Sequence, residues 1–332
     1  MNENIMISVI IPVYNAGKTL SATLDALIAQ TYQQLELIFI NDASSDDTVD
    51  VLRKYMDNML SIDSMVVRVI SHEHNQGVAA ARNTGLAHAT GDYIYYVDAD
   101  DHIDTNAIEL LVRKALETDA DIIGCNWYLS FGQNERKMNQ PPLRSAKEAI
   151  QGIFNGTMRW NLWLFMVRRS LYEDFNIRFI PGMNMGEDLM VMVKLLAHAG
   201  IVSFIDLPLY HYGQSNEGSL TKTYSEKHMM EVTHNVKVLE EYLNQEAPGC
   251  IENEAINYLK LNIKLPLLIS DMDSNYRRWK TWFPEANGYV LKNKGLPFRT
   301  RLLQWMALKQ QYWFLKLYYR CIIRYRYGVV YK

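Results

Sequence analysis

Cysteine is scarce in this chain. Three occur in 332 residues, Cys125, Cys250 and Cys321. They lie far apart without metal-ligand spacing, which argues against a disulfide framework and fits the reduced thiols of a cytosolic protein. No apolar run approaches the roughly 18 residues of a membrane-spanning helix. No positive stretch precedes an apolar run near Met1–Met6, so no signal peptide is expected. Glycine-rich phosphate loops are missing as well. Gly17-Lys18-Thr19 looks like the tail of one, but the position five residues before Gly17, where the loop needs a glycine, is Pro12. No G-x-G-x-x-G follows any candidate strand, which sets aside a classical dinucleotide site. Acid is absent from the C-terminal stretch: Leu291 to Lys332 holds ten Lys and Arg and no Asp or Glu. The first 290 residues therefore carry 24 basic against 37 acidic side chains, and the overall charge of −3 hides a net −13 there. Such a split suits a basic tail that meets an anionic surface.

What is present is a globular composition, 48% hydrophobic and 21% charged, with enough chain for one large domain or two. Ile5 to Pro12 is nearly all apolar, as a strand covered on both faces should be. Leu35–Ile40, Val66–Ile70, Tyr93–Val97 and Asp121–Cys125 read as further strands. Helical spacing separates them: Leu20, Leu24, Leu27 and Ile28; Val49, Leu52 and Met56; Val78 to His88; Ile108, Leu111, Val112, Ala115 and Leu116. Five strands alternating with four helices predict a mostly parallel sheet with helices on both faces and right-handed crossovers. Beyond it, Trp160–Arg168 reads as a strand, Glu187 opens a helix, and Ile201–Ile205 and Leu209–Tyr212 are extended. From Ser225 onward the chain reads as helical, with a kink expected at Pro266.

The stretch of greatest chemical interest is Tyr93 to Asp101. It begins as a buried strand and ends in Asp98, Asp100 and Asp101, like charges close enough to raise one another's pKa. A divalent cation would relieve them, since Mg²⁺ and Mn²⁺ prefer carboxylate oxygen and often share it with substrate phosphates. The alternative is a solvated acidic loop capping a helix near Asp104. Tyr14-Asn15 and Asn41-Asp42 end the first two strands on the same rim, where open α/β sheets bind ligands. Asp42 suits either a nucleobase N–H or a helix cap near Ser45. Arg82, alone in a helix of small residues, suits either a phosphate or a salt bridge to the strand-end carboxylates. Glu187-Asp188 at a helix start suits either the helix dipole or a general base.

Ser8 to Asn15, Phe39 to Asp46, Asn75-Gln76-Gly77 with Ala81-Arg82-Asn83, Val97 to Asp101 and Glu187-Asp188-Leu189 together resemble family 2 glycosyltransferases. Leu209 to Tyr212 with Ser219-Leu220-Thr221 resembles the end of that domain in bacterial polysaccharide-building members. The resemblance covers roughly residues 5 to 222. It implies a GT-A fold over 1–222, followed by a helical region over 223–332. It also implies a nucleoside pocket lined by Pro12, Tyr14, Asn15 and Asp42, with Arg82 near the diphosphate. Asp98-Ala99-Asp100 matches the family's DXD motif, with Asp98 toward ribose or metal and Asp100 on a Mn²⁺ or Mg²⁺ ion. Asp188 matches the catalytic base. The implied reaction is inverting transfer from a nucleotide-diphosphate sugar, UDP expected, to a hydroxyl of a glycan or lipid-linked glycan, with no nucleic acid partner. Two positions depart from the pattern. Leu162-Trp163-Leu164 stands where relatives carry a lysine, and Gly213 stands where they often carry arginine. His211 reads as a metal or phosphate contact or as a satisfied structural histidine.

Two rivals remain. A sugar-nucleotide nucleotidyltransferase would need an arginine-containing, glycine-rich loop, and Val13 to Gly17 lacks the arginine. A catalytically inactive glycan-binding subunit would not need Asp98, Asp100 and Asp188. In the tail, Phe314, Leu317, Tyr318, Cys321, Ile322 and Tyr325 fall on one helical face, with Lys309, Lys316 and Arg320 on the other. That pattern suits an anionic membrane surface or packing on the acidic body. A cytoplasmic protein, peripheral on the inner membrane face, is the expected setting.

Overall fold

The computed structural model describes residues 5–131, 134–214, 225–252 and 254–324. Contacts divide the chain into two compact units, Met1–Ala149 with Trp160–Pro248 and Ile150–Arg159 with Gly249–Lys332.

The first unit opens with β1 (Ile7–Val13), α1 (Leu20–Ile28), β2 (Leu35–Asn41), α2 (Thr48–Leu60), β3 (Met65–Ser71), α3 (Val78–His88) and β4 (Tyr93–Tyr96). It continues through β5 (His102–Ile103), α4 (Ala107–Thr118), β6 (Ile122–Phe131), β7 (Asn134–Met138) and α5 (Ala146–Asn155), whose last turns belong to the second unit. Then come β8 (Phe165–Arg168), α6 (Arg169–Asp174), α7 (Glu187–His198), β9 (Val202–Gly213) and α8 (Glu226–Glu246). The strands form one nine-stranded sheet in the order β3-β2-β1-β4-β8-β6-β9-β5, with β7 paired to β6.

The parallel core expected from the alternation is present in β3-β2-β1-β4. All of β2 is buried, as is all of β1 except Pro12; side chains of this size contribute about 1.5–3 kcal/mol each when fully buried. β3 is an edge strand and reads accordingly, with exposed and half-exposed residues alternating irregularly. In α2 the buried residues are Thr48, Val51, Leu52 and Met59, not Val49 and Met56, because the helix seats on a stripe rotated by part of a turn. Leu116 likewise points outward from α4.

The sequence understated the second half of the sheet. β6 runs ten residues rather than five and turns back into β7. Within Trp160–Arg168 only Phe165–Arg168 is strand, antiparallel to both β4 and β6, behind a 3-10 turn at Leu162–Leu164. The two extended pieces around Pro208 are one twelve-residue strand, β9, parallel to β6 through a bulge. Apart from the β6–β7 hairpin, these strands pair over long sequence separations, which periodicity does not report.

The second unit holds α9 (Ala255–Lys264), α10 (Asp273–Thr281), α11 (Phe298–Leu308) and α12 (Tyr312–Tyr318). Pro266 falls in a 3-10 turn just after α9 and so ends that helix rather than kinking it. Lys264 is fully buried, and its ammonium donates to Trp282 O at 2.8 Å, Phe283 O at 3.1 Å and Asn287 Oδ1 at 2.7 Å. Burial lowers its pKa to about 7. α12 passes into a π-type turn, Tyr319–Arg324. Its inward residue is Leu315, while Trp313, Leu317 and Ile322 are 63%, 52% and 44% exposed. Tyr325 lies outside the described residues. Among the described residues no helix is long and apolar enough to cross a membrane.

Candidate active site

β1, β2 and β4 are parallel neighbours, so their C-terminal ends share one rim. Pro12 is the penultimate residue of β1, opposite Ile40. Tyr14 beyond it is exposed. Asn15 adopts φ 49°, and its Oδ1 accepts from Ser45 N at 2.8 Å, which ties the two rim loops together. The next turn is filled from within: Gly17 N donates to Asp46 at 3.0 Å. A carboxylate thus sits where a phosphate loop would hold its anion.

Asp42 is buried and satisfied by the protein. Oδ1 accepts from Gln76 N at 2.8 Å and lies 2.7 Å from His72 Nδ1, and Oδ2 accepts from Gly77 N at 2.7 Å. It serves the N-terminus of α3 and not the helix near Ser45 that sequence proximity suggested. An ionised carboxylate has about four acceptor positions, so at least one remains. Gly77 has φ 87°, and a Cβ there would meet the Asn184 side chain at 2.3 Å. Only glycine suits that turn. Asn184 in turn accepts from Ala79 N at 3.1 Å.

Arg82 projects from α3 into the acidic end of β4. Its Nη1 donates to Glu187 Oε1 at 2.6 Å, and Nη2 lies 3.5 Å from Asp98 Oδ1. Of the two readings of Arg82, a phosphate or a salt bridge to the β4-end carboxylates, the structure shows a contact with Asp98, but the tightest partner is Glu187, which the sequence offered only as part of a helix start. The guanidinium is 5.7 Å from the ring centroids of Tyr96 and Phe179, and its Nε is buried without a hydrogen-bond partner. Asp188 follows Glu187 at the N-terminus of α7 and accepts from Leu189 N at 2.8 Å. The structure thus brings Arg82, Asp98 and Asp188 into one electrostatic cluster. The Pro12, Tyr14, Asn15 and Asp42 positions lie along the adjoining strand ends.

One guanidinium is shared by too many acids. Burial raises the pKa of Asp98, opposed by Arg82 and reinforced by Asp100. Burial, then the charge of Asp188, lifts Glu187 to about 8 against the pull of Arg82. Asp188 rises to about 6, chiefly through burial, with Arg82 opposing and Asp98 adding to it. Arg82, in contrast, is held more firmly protonated by Glu187, Asp98 and Asp188. The excess of negative charge and the all-oxygen donor set fit a hard divalent cation at Asp98 and Asp100.

Asp101, which the sequence offered as a third acid beside Asp98 and Asp100, is instead held by Tyr210, a pairing that the sequence did not show. Asp101 is buried; it accepts from Tyr210 Oη at 2.7 Å and Gly213 N at 2.7 Å, while Asp98 N donates to Tyr210 Oη at 3.1 Å. This fixes the acidic turn on β9. It also explains the missing arginine: a Cβ at Gly213 would lie 2.8 Å from Asp100 O. Trp163 is buried in a stack on Tyr210, with ring centroids 4.3 Å apart, and so belongs to the support of this turn. From α8, Asn235 Nδ2 donates to Met185 O at 2.9 Å and Glu231 accepts from Asn184 N at 3.2 Å. These bonds brace the loop that leads into Asp188. Ser219-Leu220-Thr221 lies outside the described residues.

A polar rim at the strand ends, an acidic pair at the end of the fourth strand and a further acid at a helix start are the arrangement of a glycosyltransferase of GT-A type. The model of the family described as Glycosyl transferase family 2 matches residues 8–191, and the chain belongs to this family. An uncharacterized glycosyltransferase of Escherichia coli, YibD, is 30% identical over 304 residues, covering 87% of this chain and 77% of that protein. The uncharacterized glycosyltransferase EpsJ of Bacillus subtilis is 30% identical over 226 residues, 65% of this chain and 63% of its own length. This chain therefore spans just under two thirds of EpsJ. In three dimensions the chain is similar to S. aureus TarS 1-349 in complex with UDP-GlcNAc, with a TM-score of 0.67 at 19% identity, covering 95% of this chain and 91% of that one. The fold is GT-A, as expected, and the enzyme class is glycosyltransferase.

Proposed function

We propose that this protein transfers a sugar from a nucleotide diphosphate, UDP in the first instance, to a hydroxyl of a growing cell-surface glycan, inverting the anomeric centre. The observation that carries the proposal is the cluster in which Arg82 joins the Asp98 turn to the start of α7, where Asp188 stands. The complex of TarS with UDP-GlcNAc supports the choice of donor.

In this reading Pro12, Tyr14, Asn15 and Asp42 receive the nucleoside. Asp42 offers its remaining acceptor position to a base N–H. Asp98 and Asp100 would hold Mn²⁺ or Mg²⁺, which supplies Lewis-acid stabilisation of the departing diphosphate. Arg82 adds fixed positive charge toward the same oxygens. Asp188 accepts the proton of the acceptor hydroxyl as its oxygen bonds to the anomeric carbon and the bond from that carbon to the diphosphate breaks. A pKa near 6 leaves this carboxylate ionised at neutral pH and more basic than a solvent-exposed aspartate. One displacement with a single base inverts the centre, by the logic of inverting glycosidases with an alcohol in place of water.

The catalytic domain is placed at 1–222. The C-terminal region, with its cations and the outward Trp313, Leu317 and Ile322, is assigned to an anionic membrane surface on the cytoplasmic side, where a lipid-linked acceptor would be confined. The decisive measurement is UDP release from UDP-sugars with Mn²⁺, paired with calorimetric titration of UDP. Turnover by wild type and loss of metal-dependent UDP binding in Asp100→Ala are expected. Equal UDP affinity with and without chelator would remove the metal from the proposal. Flotation on anionic liposomes tests the tail; binding unchanged on removal of residues 300 to 332 would refute its membrane role.

A further inference from the structure

β9 carries the acidic turn on one face and a different cluster on the other. Successive strand residues point to opposite faces. Tyr210 reaches Asp98 and Asp101, so its neighbour His211 turns away from them. There His211 is paired in register with His102 of β5 and with Tyr128 of β6. Its ring stacks on both, with centroids 4.3 Å from His102 and 4.9 Å from Tyr128. Glu135, on β7, places Oε1 2.7 Å from His211 Nδ1. Asp104 places Oδ1 2.8 Å from His211 Nε2. One ligand atom from each of His102, Glu135 and His211 lies within 4.8 Å of the others. His102, Asp104 and His211 also line an open cavity of about 700 Å³.

We propose that His102, Glu135 and His211 form a second metal site, for a zinc-class transition ion, distinct in donor chemistry and in sheet face from the carboxylate pair Asp98–Asp100. Two imidazoles and one carboxylate, with a fourth position open, are a donor set that zinc takes and that magnesium does not favour. The contact with Asp104 is the second feature that points to a metal. A ligating histidine usually donates its other ring N–H to a carboxylate, which fixes the tautomer and sharpens the ligand. His211 Nδ1 meets Glu135 at hydrogen-bond distance; on metal binding that proton leaves, Nε2–H stays with Asp104, and the freed Nδ1 lone pair takes the ion. With bonds of about 2.0–2.2 Å the ligand atoms of a tetrahedral zinc stand about 3.3–3.5 Å apart, so His211 Nδ1 and Glu135 Oε1, now 2.7 Å apart, must part slightly while the His102 nitrogen, within 4.8 Å of both, closes on the ion. The His102 ring must also leave its parallel stack, since a shared ion has to lie close to both ring planes. Glu135 is exposed and has room to follow. An ion there would tie the β6–β7 hairpin to β5 and β9, immediately behind Asp101. Its role is that of a clip on the acidic turn.

Cobalt substitution tests this without recourse to turnover. Full-length protein stripped of metal is titrated with Co²⁺ under excess Mg²⁺, and the visible bands of low-coordinate, nitrogen-bound cobalt are read. The same titration is run in Asp98→Asn/Asp100→Asn. One Co²⁺ per chain, displaced by Zn²⁺, is expected in both proteins. Glu135→Gln changes an exposed side chain and should fold as wild type; its affinity should fall at least about tenfold. His211→Ala should abolish the bands. Asp104→Asn should keep the stoichiometry and weaken binding by about 10–100-fold, the usual cost of losing such an outer carboxylate. No bands in wild type, bands lost with the Asp98/Asp100 change, or wild-type affinity in Glu135→Gln would each overturn the proposal.

Discussion

Asp42 and Asp188 are both aspartates at the rim of one sheet, and the protein treats them in opposite ways. Asp42 receives two backbone N–H groups and faces an imidazole, so its charge is answered locally and holds β2 to the start of α3. Asp188 receives one N–H, from its own successor. It shares a single guanidinium with Glu187 and Asp98. The first arrangement stabilises a loop. The second leaves a half-buried carboxylate whose charged form is under-compensated and therefore more basic, the condition a proton acceptor needs. The difference lies not in residue type, nor in deeper burial of Asp188, which is the more exposed of the two, but in how many donors each carboxylate can count as its own.

The largest expected effect is on turnover. Asp188→Asn should retain its fold and UDP affinity while losing roughly three decades in kcat, within the range general-base catalysis supplies. A rate near wild type would make Asp188 a helix-start residue like any other. Next is Arg82→Ala at pH 9, above the value of about 8 for Glu187, where the change strands that ionised carboxylate in the interior. Removing one partner of a buried pair costs about 3–5 kcal/mol, readable in urea unfolding. A loss below 1 kcal/mol would show that the acids simply protonate. Asp42→Ala orphans the N–H groups of Gln76 and Gly77 and should cost about 1–3 kcal/mol. A loss as large as that of Arg82→Ala would erase the contrast between the two regions.

The gentlest probe is pH. With Asp188 at about 6, kcat should fall as pH drops through 6, approaching tenfold per unit below it, and this limb should vanish in Asp188→Asn. Stability moves the other way. The folded pKa lies above that of the unfolded chain, so the contribution of this group is fully present below the unfolded value, near 4, and is lost as pH rises through about 6. Asp188→Asn should therefore be no less stable than wild type at pH 7.5, and a lower melting temperature there would contradict the charge assignment.

Much of this was legible in the chain itself. The nearly all-apolar run of β1, the alternation of strands and helices through α4, the acids that end β4 and the helix that begins at Glu187 all follow from local patterns. Local hydrophobic spacing reports burial within one element. The same is true of the lone arginine in a helix of alanines and small polar residues. What the chain could not reveal were pairings between distant segments. Glu187 holds Arg82 across 105 positions, and Gly213 is forced by the carbonyl of Asp100. His102 and His211, separated by 109 residues, stack only because β5 and β9 pair in that register. β8 was legible as an extended apolar segment, but its antiparallel insertion between β4 and β6 was not. Residue type decides what a side chain can do. Which charges it must share, and therefore how basic or how satisfied it is, depends on neighbours that only the folded sheet supplies.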